Sequence, residues 1–212
     1  MSITNIVAQI RQVLTSRTFI LIFASLLVIS FSIAYVASES RPQERFLSIS
    51  TLGYDMTTKN YYPSDTSTIK VGDTVRWNIN VYNRMGDVEY LSVRVKLLNA
   101  TQAGPDPLLH VPSPENQILE MKYVLMNNST WVIPLDWSVL KVDREEDYVT
   151  IQSLRVNDTV IDDLNVSSVD GNNFRMIIEL WRYDKETKHF TFEWSSGLDE
   201  KSVWNQIWFN VR

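Results

Sequence analysis

The chain has 212 residues, which suits one ordinary domain with a short extension, and its composition excludes several kinds of site. It has no cysteine, so disulfides, thiolate metal sites and cysteine nucleophiles are excluded, and its two histidines cannot form a three-histidine zinc site. Residues 1–38 carry two basic and no acidic side chains, whereas the other 174 residues carry 18 basic and 25 acidic ones, a net charge of −7. Because affinity for phosphates depends on Lys and Arg, we expect no nucleic acid among the partners.

The first long predicted element is a membrane-spanning helix over residues 18–38, a run of 21 residues without a charged side chain. About twenty helical residues cover the roughly 30 Å hydrocarbon core of a bilayer. Arg11 and Arg17 precede this run, so the positive-inside rule predicts a cytoplasmic N-terminus and an extracytoplasmic C-terminal domain. The alternative is a signal peptide cleaved near Val36-Ala37-Ser38, although the apolar part of such a peptide usually has only about 7–15 residues. We therefore expect an uncleaved signal anchor in the cell membrane.

The segments on either side of this span are short. Residues 1–17 place apolar side chains at helical spacing, which predicts an interfacial helix leading into the span, with a docking surface for a partner as the alternative. Residues 39–45 are expected to form a linker.

Beyond the linker the hydrophobic period changes to two, which predicts an antiparallel β-sandwich over residues 46–212. Apolar and polar residues alternate in 75–81 and in 91–97, and we expect residues 83–87 to join these two strands as a hairpin. Further strands are expected at 45–52, 117–126, 130–139, 148–156, 173–183, 189–194 and 203–211. Residues 104–114, with four prolines, and the acidic, turn-rich residues 157–173 are expected to be loops between strands.

The sandwich region contains a series of turn and strand motifs. They are Leu52-Gly53, Asn60-Tyr61-Tyr62-Pro63, Val71-Gly72-Asp73-Thr74-Val75, Val81-Tyr82-Asn83, Val88-Glu89-Tyr90-Leu91-Ser92-Val93 and Leu180-Trp181-Arg182-Tyr183. Through these motifs, most of residues 45–212 resembles the extracytoplasmic part of an archaeal membrane-protein family numbered 1616 among domains of unknown function. The resemblance implies an immunoglobulin-like sandwich in the archaeal cell envelope and supplies no catalytic residue. Members of that family often carry several membrane helices before this domain, whereas one span is predicted here.

Candidate metal ligands are few and poorly spaced. His110 and His189 have no third ligand nearby in sequence, and we interpret them as isolated. Two acidic groups lack the spacing of a calcium loop, and we interpret them as solvated surface: residues 143–147, and Asp158, Asp162, Asp163 and Asp170. No G-x-S-x-G motif occurs, and paired carboxylates arise by chance in an acidic domain. The sequence therefore predicts no metal, no cofactor, no catalytic residue and no enzyme.

The expected extracytoplasmic domain contains five N-x-[ST] sequons. Their acceptor residues are Asn99, Asn127, Asn128, Asn157 and Asn165. All five lie at predicted strand ends or in loops, where a bulky, solvated glycan can be accommodated. We expect a glycoprotein with at least one of these sites occupied, and the glycans would mark surface that partners cannot cover.

The strand predicted over residues 203–211 is apolar on both faces. Val203, Ile207 and Phe209 share one face, interrupted by Asn205, and Trp204 and Trp208 take the other. A lone sandwich can bury only one of those faces against its core, so we expect the two tryptophans to meet another protein or lipid headgroups. The alternatives are a strand between two layers, or cover by residues 157–173.

These observations favour a non-catalytic, single-span cell-envelope protein that acts as an accessory or scaffold subunit of a membrane or surface-layer assembly. Its partners would be other membrane or envelope proteins, and small residues in the span suit an oligomeric assembly. One alternative is an accessory subunit of a membrane enzyme whose active site lies in other chains. Another is a module that binds a small ligand, a sugar or calcium, which would need a concave pocket with converging polar groups.

Overall fold

The computed structural model describes residues 16–38, 44–64, 66–196 and 199–212. The chain divides between Gln43 and Glu44 into an N-terminal unit and a second unit, Glu44–Arg212. Nearly all of the predicted interfacial helix over residues 1–17 and most of the linker over 39–45 lie outside the described residues.

The N-terminal unit contains helix α1, Arg17–Ser38. Ser16 caps it, because its hydroxyl accepts a hydrogen bond from the Phe19 N–H at 3.1 Å. The helix is long and apolar enough to cross a membrane, with a mean hydropathy of 2.6 over its best window. Ser25 and Ser32 each donate a hydroxyl to the carbonyl four residues earlier at 2.8 Å, so these polar groups are satisfied within the helix itself.

The second unit is built from strands β1 to β13. Their bounds are Phe46–Leu52, Thr68–Ile69, Val75–Arg84, Glu89–Leu98, Gln117–Leu125, Ser129–Glu145, Tyr148–Val156, Thr159–Ile161, Val166–Val169, Phe174–Asp184, His189–Thr191, Glu193–Ser196 and Asp199–Val211. The first sheet has the order β1-β3-β6-β7-β8, and β9 also pairs with β7. The second sheet has the order β12-β13-β10-β4-β5, with β11 on β10 and β2 on β13. Neighbouring strands are antiparallel except β2, which runs parallel to β13.

The strand order is that of an immunoglobulin-like sandwich, which confirms the predicted fold class. The strands β1, β3 and β6 lie side by side in one sheet, while β4, β10 and β13 lie side by side in the other. This is the arrangement of the A, B and E strands facing the C, F and G strands in immunoglobulin domains. β7 departs from this arrangement. It lies beside β6 in the position of the D strand, but it follows β6 in the chain, whereas the D strand of an immunoglobulin domain precedes the E strand.

One hydrophobic core lies between the two sheets. Alternate residues of β3 are buried, which is the period-two pattern of a strand with one face on the core. The ring of Trp137 lies at the centre, 5.2 Å from the ring of Trp77 and 4.8 Å from that of Phe209. Asn205, the polar residue in the inward row of β13, exchanges hydrogen bonds of 3.1 and 3.2 Å with Thr51 of β1. The two sheets are therefore joined by a polar contact as well as by apolar packing.

The predicted hairpin over residues 83–87 is wrong. β3 and β4 lie in different sheets, so this segment crosses from one sheet to the other. The Asn83 amide holds the crossing by donating to Leu125 O and Asp87 O, while its oxygen accepts from the Met85 N–H. Met85 packs into the core. The flanking strands alternate in the same way whether they pair or face each other, so the pattern does not distinguish a hairpin from a crossing.

Two further segments test the predicted loops. Residues 157–173 are not only a loop, since they contribute β8 and β9, both of which pair with β7. β6 also runs to Glu145, beyond its predicted end at residue 139, because a register shift between Val139 and Val142 lets it continue along β7. Residues 104–114 form the predicted loop, with one isolated bridge between Asp106 and Val111.

Candidate interaction face

The outer face of the second sheet is the side of β4, β5, β10 and β13 that is turned away from the core. Their alternate residues Val93, Val95, Ile178 and Leu180 belong to the core cluster. Because side chains alternate along a strand, the residues between them lie on the outer face. That face therefore carries Arg94, Lys96, Glu120, Arg175, Glu179, Trp181, Trp204 and Trp208.

A buried ion pair lies on the outer face. Lys96 Nζ is 3.0 Å from Glu179 Oε2, and the two side chains are 6% and 0% exposed. Glu179 also accepts the Ser113 N–H at 2.9 Å and the Trp181 indole N–H at 3.0 Å, while Lys96 donates to Ser113 O at 2.6 Å. A buried charge needs both a partner and hydrogen bonds, and this pair has both.

Ser113 belongs to the proline loop, residues 104–114, so the ion pair fastens this loop to the sheet. A second attachment joins His110 Nδ1 to the Ser202 hydroxyl of β13 at 3.0 Å. Within the loop, Asp106 accepts the Leu109 and Leu108 N–H groups at 3.0 and 2.8 Å. These two hydrogen bonds, that from Leu109 first, lower the pKa of Asp106. The loop is thus held in a defined conformation by polar contacts at several points.

The tip of the proline loop is apolar and faces solvent. Leu108 is 87% exposed and Leu109 is 69% exposed. Two neighbouring leucines held at the end of a fastened loop present apolar surface that the domain itself does not cover.

Val203, Ile207 and Phe209 pack inward, so Trp204 and Trp208, which alternate with them along β13, lie on the outer face. Trp208 is 39% exposed and Trp204 is half-buried. The Arg175 guanidinium lies 4.9 Å from the centroid of the Trp208 ring. Partial burial lowers the pKa of Arg175. One contact of Trp208 is therefore supplied by its own chain, while much of its surface remains accessible; its role at an interface stays a prediction.

The structure separates the five sequons into two groups. Asn99, Asn127 and Asn157 use their side chains to hold main-chain groups: Asn99 donates to Ser167 O, and the oxygens of Asn127 and Asn157 accept distant N–H groups. Asn128 and Asn165 are exposed, and the Asn165 amide donates locally to Asp163 O at 3.2 Å. Because the glycan is attached to the amide nitrogen and needs space around it, the exposed side chains of Asn128 and Asn165 are the most accessible acceptors.

We expect Asn128 and Asn165 to be the occupied sequons. Glycopeptide mass spectrometry of the native protein should find glycan on one or both, and replacing either occupied residue by Gln should lower the intact mass by one glycan. The matched control is Asn157→Gln, which should leave the glycan mass unchanged. A glycan on Asn99, or an intact mass equal to the bare polypeptide, would contradict this expectation.

The candidate metal ligands remain apart. Within the described ranges, no three His, Asp or Glu side chains come together in a group that could hold a metal ion. His110 is engaged with Ser202, and His189 is exposed in β11. The acidic residues 143–147 lie at the exposed end of β6 and in the turn that follows.

An open cleft on the first sheet bears on the ligand-binding alternative. It has a volume of about 710 Å³ and is lined in part by Arg76, Asp136, Arg155 and Asp158. Three of its charged groups have partners of their own: Arg76 Nε lies 3.5 Å from Asp136 Oδ2, and Arg155 donates to the Ser138 hydroxyl at 3.1 Å. Polar groups that face each other across an open cleft differ from a set that converges on a ligand.

Sequence reasoning missed the ion pair and the loop tip. Lys96 and Glu179 occupy polar positions of an alternating pattern, which predicts solvent exposure for both. The loop that buries them is distant in sequence from β10, so the pattern carried no signal of the pairing. Leu108-Leu109 between prolines was visible as an apolar pair in a loop, and such a pair is the available signal for an exposed tip.

Comparisons with known proteins give distant structural neighbours only. No family model matches the chain, and no curated protein matches it. Among solved structures, the CARDB domain of the PF1109 protein from Pyrococcus furiosus, determined in complex with di-metal ions, is 11% identical with a TM-score of 0.37, covering 81% of this chain and 97% of that one. The β-glucosidase EmGH1 from Erythrobacter marinus is 8% identical with a TM-score of 0.35, covering 79% of this chain and 16% of that one. Similarities this distant carry no argument about function.

Proposed function

We propose that the protein is a non-catalytic, single-span cell-envelope protein whose sandwich docks another envelope protein, as an accessory or scaffold subunit of a membrane or surface-layer assembly. Helix α1 is the anchor, and the acidic sandwich lies outside the cytoplasm. The resemblance of residues 45–212 to the archaeal family 1616 supports the envelope location. Arg11 and Arg17 ahead of the span support the orientation.

This proposal rests on one observation: a loop held in a fixed conformation exposes apolar side chains on the outer face. The proline loop is fastened through Glu179 and Ser202, yet it ends in two exposed leucines, and Trp208 remains accessible on the same sheet. Apolar surface held in a fixed conformation binds with a smaller loss of conformational entropy than a mobile loop does. Tryptophan is also enriched among residues that dominate binding energy.

Replacing Trp204 and Trp208 by Ser, singly and together, should release the full-length protein from its partner. In mild detergent, the wild-type protein should migrate in a high-mass complex, and the double variant should migrate without the partner protein. If each tryptophan is a binding hot spot worth about 2 kcal/mol, affinity should fall roughly thirtyfold for each replacement. Mass spectrometry of the wild-type complex would identify the partner.

The matched control is Tyr148→Ser, an exposed aromatic residue of the first sheet, which should leave the complex intact. A second variant, Leu108→Ser with Leu109→Ser, tests the same face at residues too exposed to belong to the core. If the tryptophan variants unfold while the leucine variant stays folded and bound, the outer face is not the docking surface. If all variants fold and remain in the complex, the proposal also fails.

The orientation has its own test. Protease added to intact cells should remove the sandwich and leave a membrane-bound stub that contains α1, because residues 46–212 are proposed to lie outside. The control is protease added to permeabilised cells, where a cytoplasmic marker protein is also degraded. A sandwich that survives in intact cells and is cleaved only after permeabilisation would reverse the proposed orientation.

A further inference from the structure

The edge of the second sheet at β5 differs from the other sheet edges in the described part of the chain. β5, Gln117–Leu125, has nine residues and pairs with β4 alone. Tyr123 and Val124 on this strand are 49% and 55% exposed. A long edge strand with exposed apolar side chains offers unpaired main-chain groups to another strand.

The other described edges are short or engaged. β8, β9 and β12 have three or four residues each. At β1, the Thr51 carbonyl accepts the Tyr61 hydroxyl at 2.9 Å, and the Thr51 side chain is bonded to Asn205. Folded proteins commonly protect their edges in these ways, whereas β5 is nine residues long and is engaged at its last residue, where the Asn83 amide donates to Leu125 O.

The sequence of β5 is complementary to itself when two copies run antiparallel about Met121. In that register, Glu120 of one copy lies opposite Lys122 of the other, and Leu119 lies opposite Tyr123. Each of these contacts occurs twice, because a two-fold axis passes through the central residue. Opposite charges and apolar side chains placed directly across a strand pair each stabilise it by about 0.2–1 kcal/mol.

The charges of β5 decide which partner the edge accepts. A lysine without a neighbouring acidic side chain on an edge strand would oppose pairing with an incoming strand that also carries a positive charge. Here Lys122 Nζ lies 2.8 Å from Glu120 Oε2, and Glu120 also accepts hydrogen bonds from Ser92 and Arg94. Partial burial raises the pKa of Glu120, but these hydrogen bonds, that from Lys122 first, outweigh it and keep the pKa below its ordinary value. The Glu120 carboxylate is therefore charged at neutral pH.

We propose that two copies of this protein pair through β5, antiparallel about Met121, and form one sheet that continues across both sandwiches. The partner is a second copy of the same chain because its own β5, in this register, places an opposite charge across from both Glu120 and Lys122. This homodimer forms through β5 and not through the face that carries Trp208. The experiments below therefore test it independently of the proposed docking function.

The first test exchanges the charges in full-length protein in mild detergent. Lys122→Glu and Glu120→Lys should each weaken self-association about tenfold, because both cross-strand pairs become repulsive. Mixing the two variants should restore association as a heterodimer, since Glu then faces Lys at both positions. A mixture no more associated than either variant alone would overturn the proposal.

The second test uses the absence of cysteine in the chain, so that a single introduced thiol reports one contact. Met121→Cys should form an intermolecular disulfide under mild oxidation, because directly opposite residues of an antiparallel pair lie within disulfide range. Ser50→Cys, in the middle of the β1 edge, is the matched control and should stay reduced. Equal cross-linking of both variants, or none at Met121→Cys, would overturn the proposal even if Glu120→Lys failed to fold.

Discussion

Replacing Lys96 by Ala is expected to lower the free energy of unfolding by about 3–5 kcal/mol, because the Glu179 carboxylate would remain buried without its cation. Glu179 is fully buried, and the hydrogen bonds from Ser113 and Trp181 cannot replace the lost charge. Urea unfolding followed by tryptophan fluorescence would measure the loss. The proline loop, which is fastened through the same pair, should at the same time become more sensitive to limited proteolysis.

The matched control is Lys122→Ala, which removes an ion pair of similar length from a more exposed position. Lys122 is 42% exposed and lies 2.8 Å from Glu120. Exposed pairs contribute about 1 kcal/mol or less, so this variant should unfold at nearly the wild-type urea concentration. If Lys96→Ala and Lys122→Ala lowered the free energy of unfolding equally, burial would not be what makes the Lys96–Glu179 pair stabilising.

Replacing Trp137 by Ala is expected to destabilise the sandwich by about 3–5 kcal/mol, since it removes the largest kind of side chain from a fully buried position. The Trp137 ring contacts Trp77 and Phe209, so the cavity would open between the two sheets. Thermal and urea unfolding of the folded variant would measure the loss.

Two further variants should lose less stability than Trp137→Ala. Trp137→Phe should cost less, because the indole N–H has no hydrogen-bond partner among the described residues and no bond is broken. Trp208→Ala, on the outer face, should change stability by about 1 kcal/mol or less. A larger loss at Trp208 than at Trp137 would contradict the assignment of the two rings to surface and core.

The sequence was informative where one residue's neighbours along the chain decide its environment. The period-two alternation in β3 and β13 predicted strands and the direction of each side chain, and most predicted strands agree with the structure within a few residues. The run over 18–38 likewise predicted α1, since length and lack of charge are properties of the segment itself. Pairing between sheets depends on distant residues, which is why the crossing at residues 83–87 was predicted as a hairpin.

The candidate site was predictable only in part for the same reason. The outward direction of Trp204 and Trp208 follows from alternation within one strand. The ion pair between Lys96 and Glu179 requires β4 and β10 to be neighbours and the proline loop to close over them, and neither fact is local. The five sequons could be found by motif, but their separation into engaged and exposed amides required the three-dimensional contacts of Asn99, Asn127 and Asn157.

The pairing of β2 with β13 has a consequence for the order in which the domain can be completed. Thr68 and Asn210 are 142 residues apart in the chain, and β13 also forms the neighbour of β10 and β12. A nascent chain can therefore assemble the first sheet before β13, which pairs with β10, has been synthesised. Until residues 199–211 have been synthesised, the open edge of β10 is a target for aggregation.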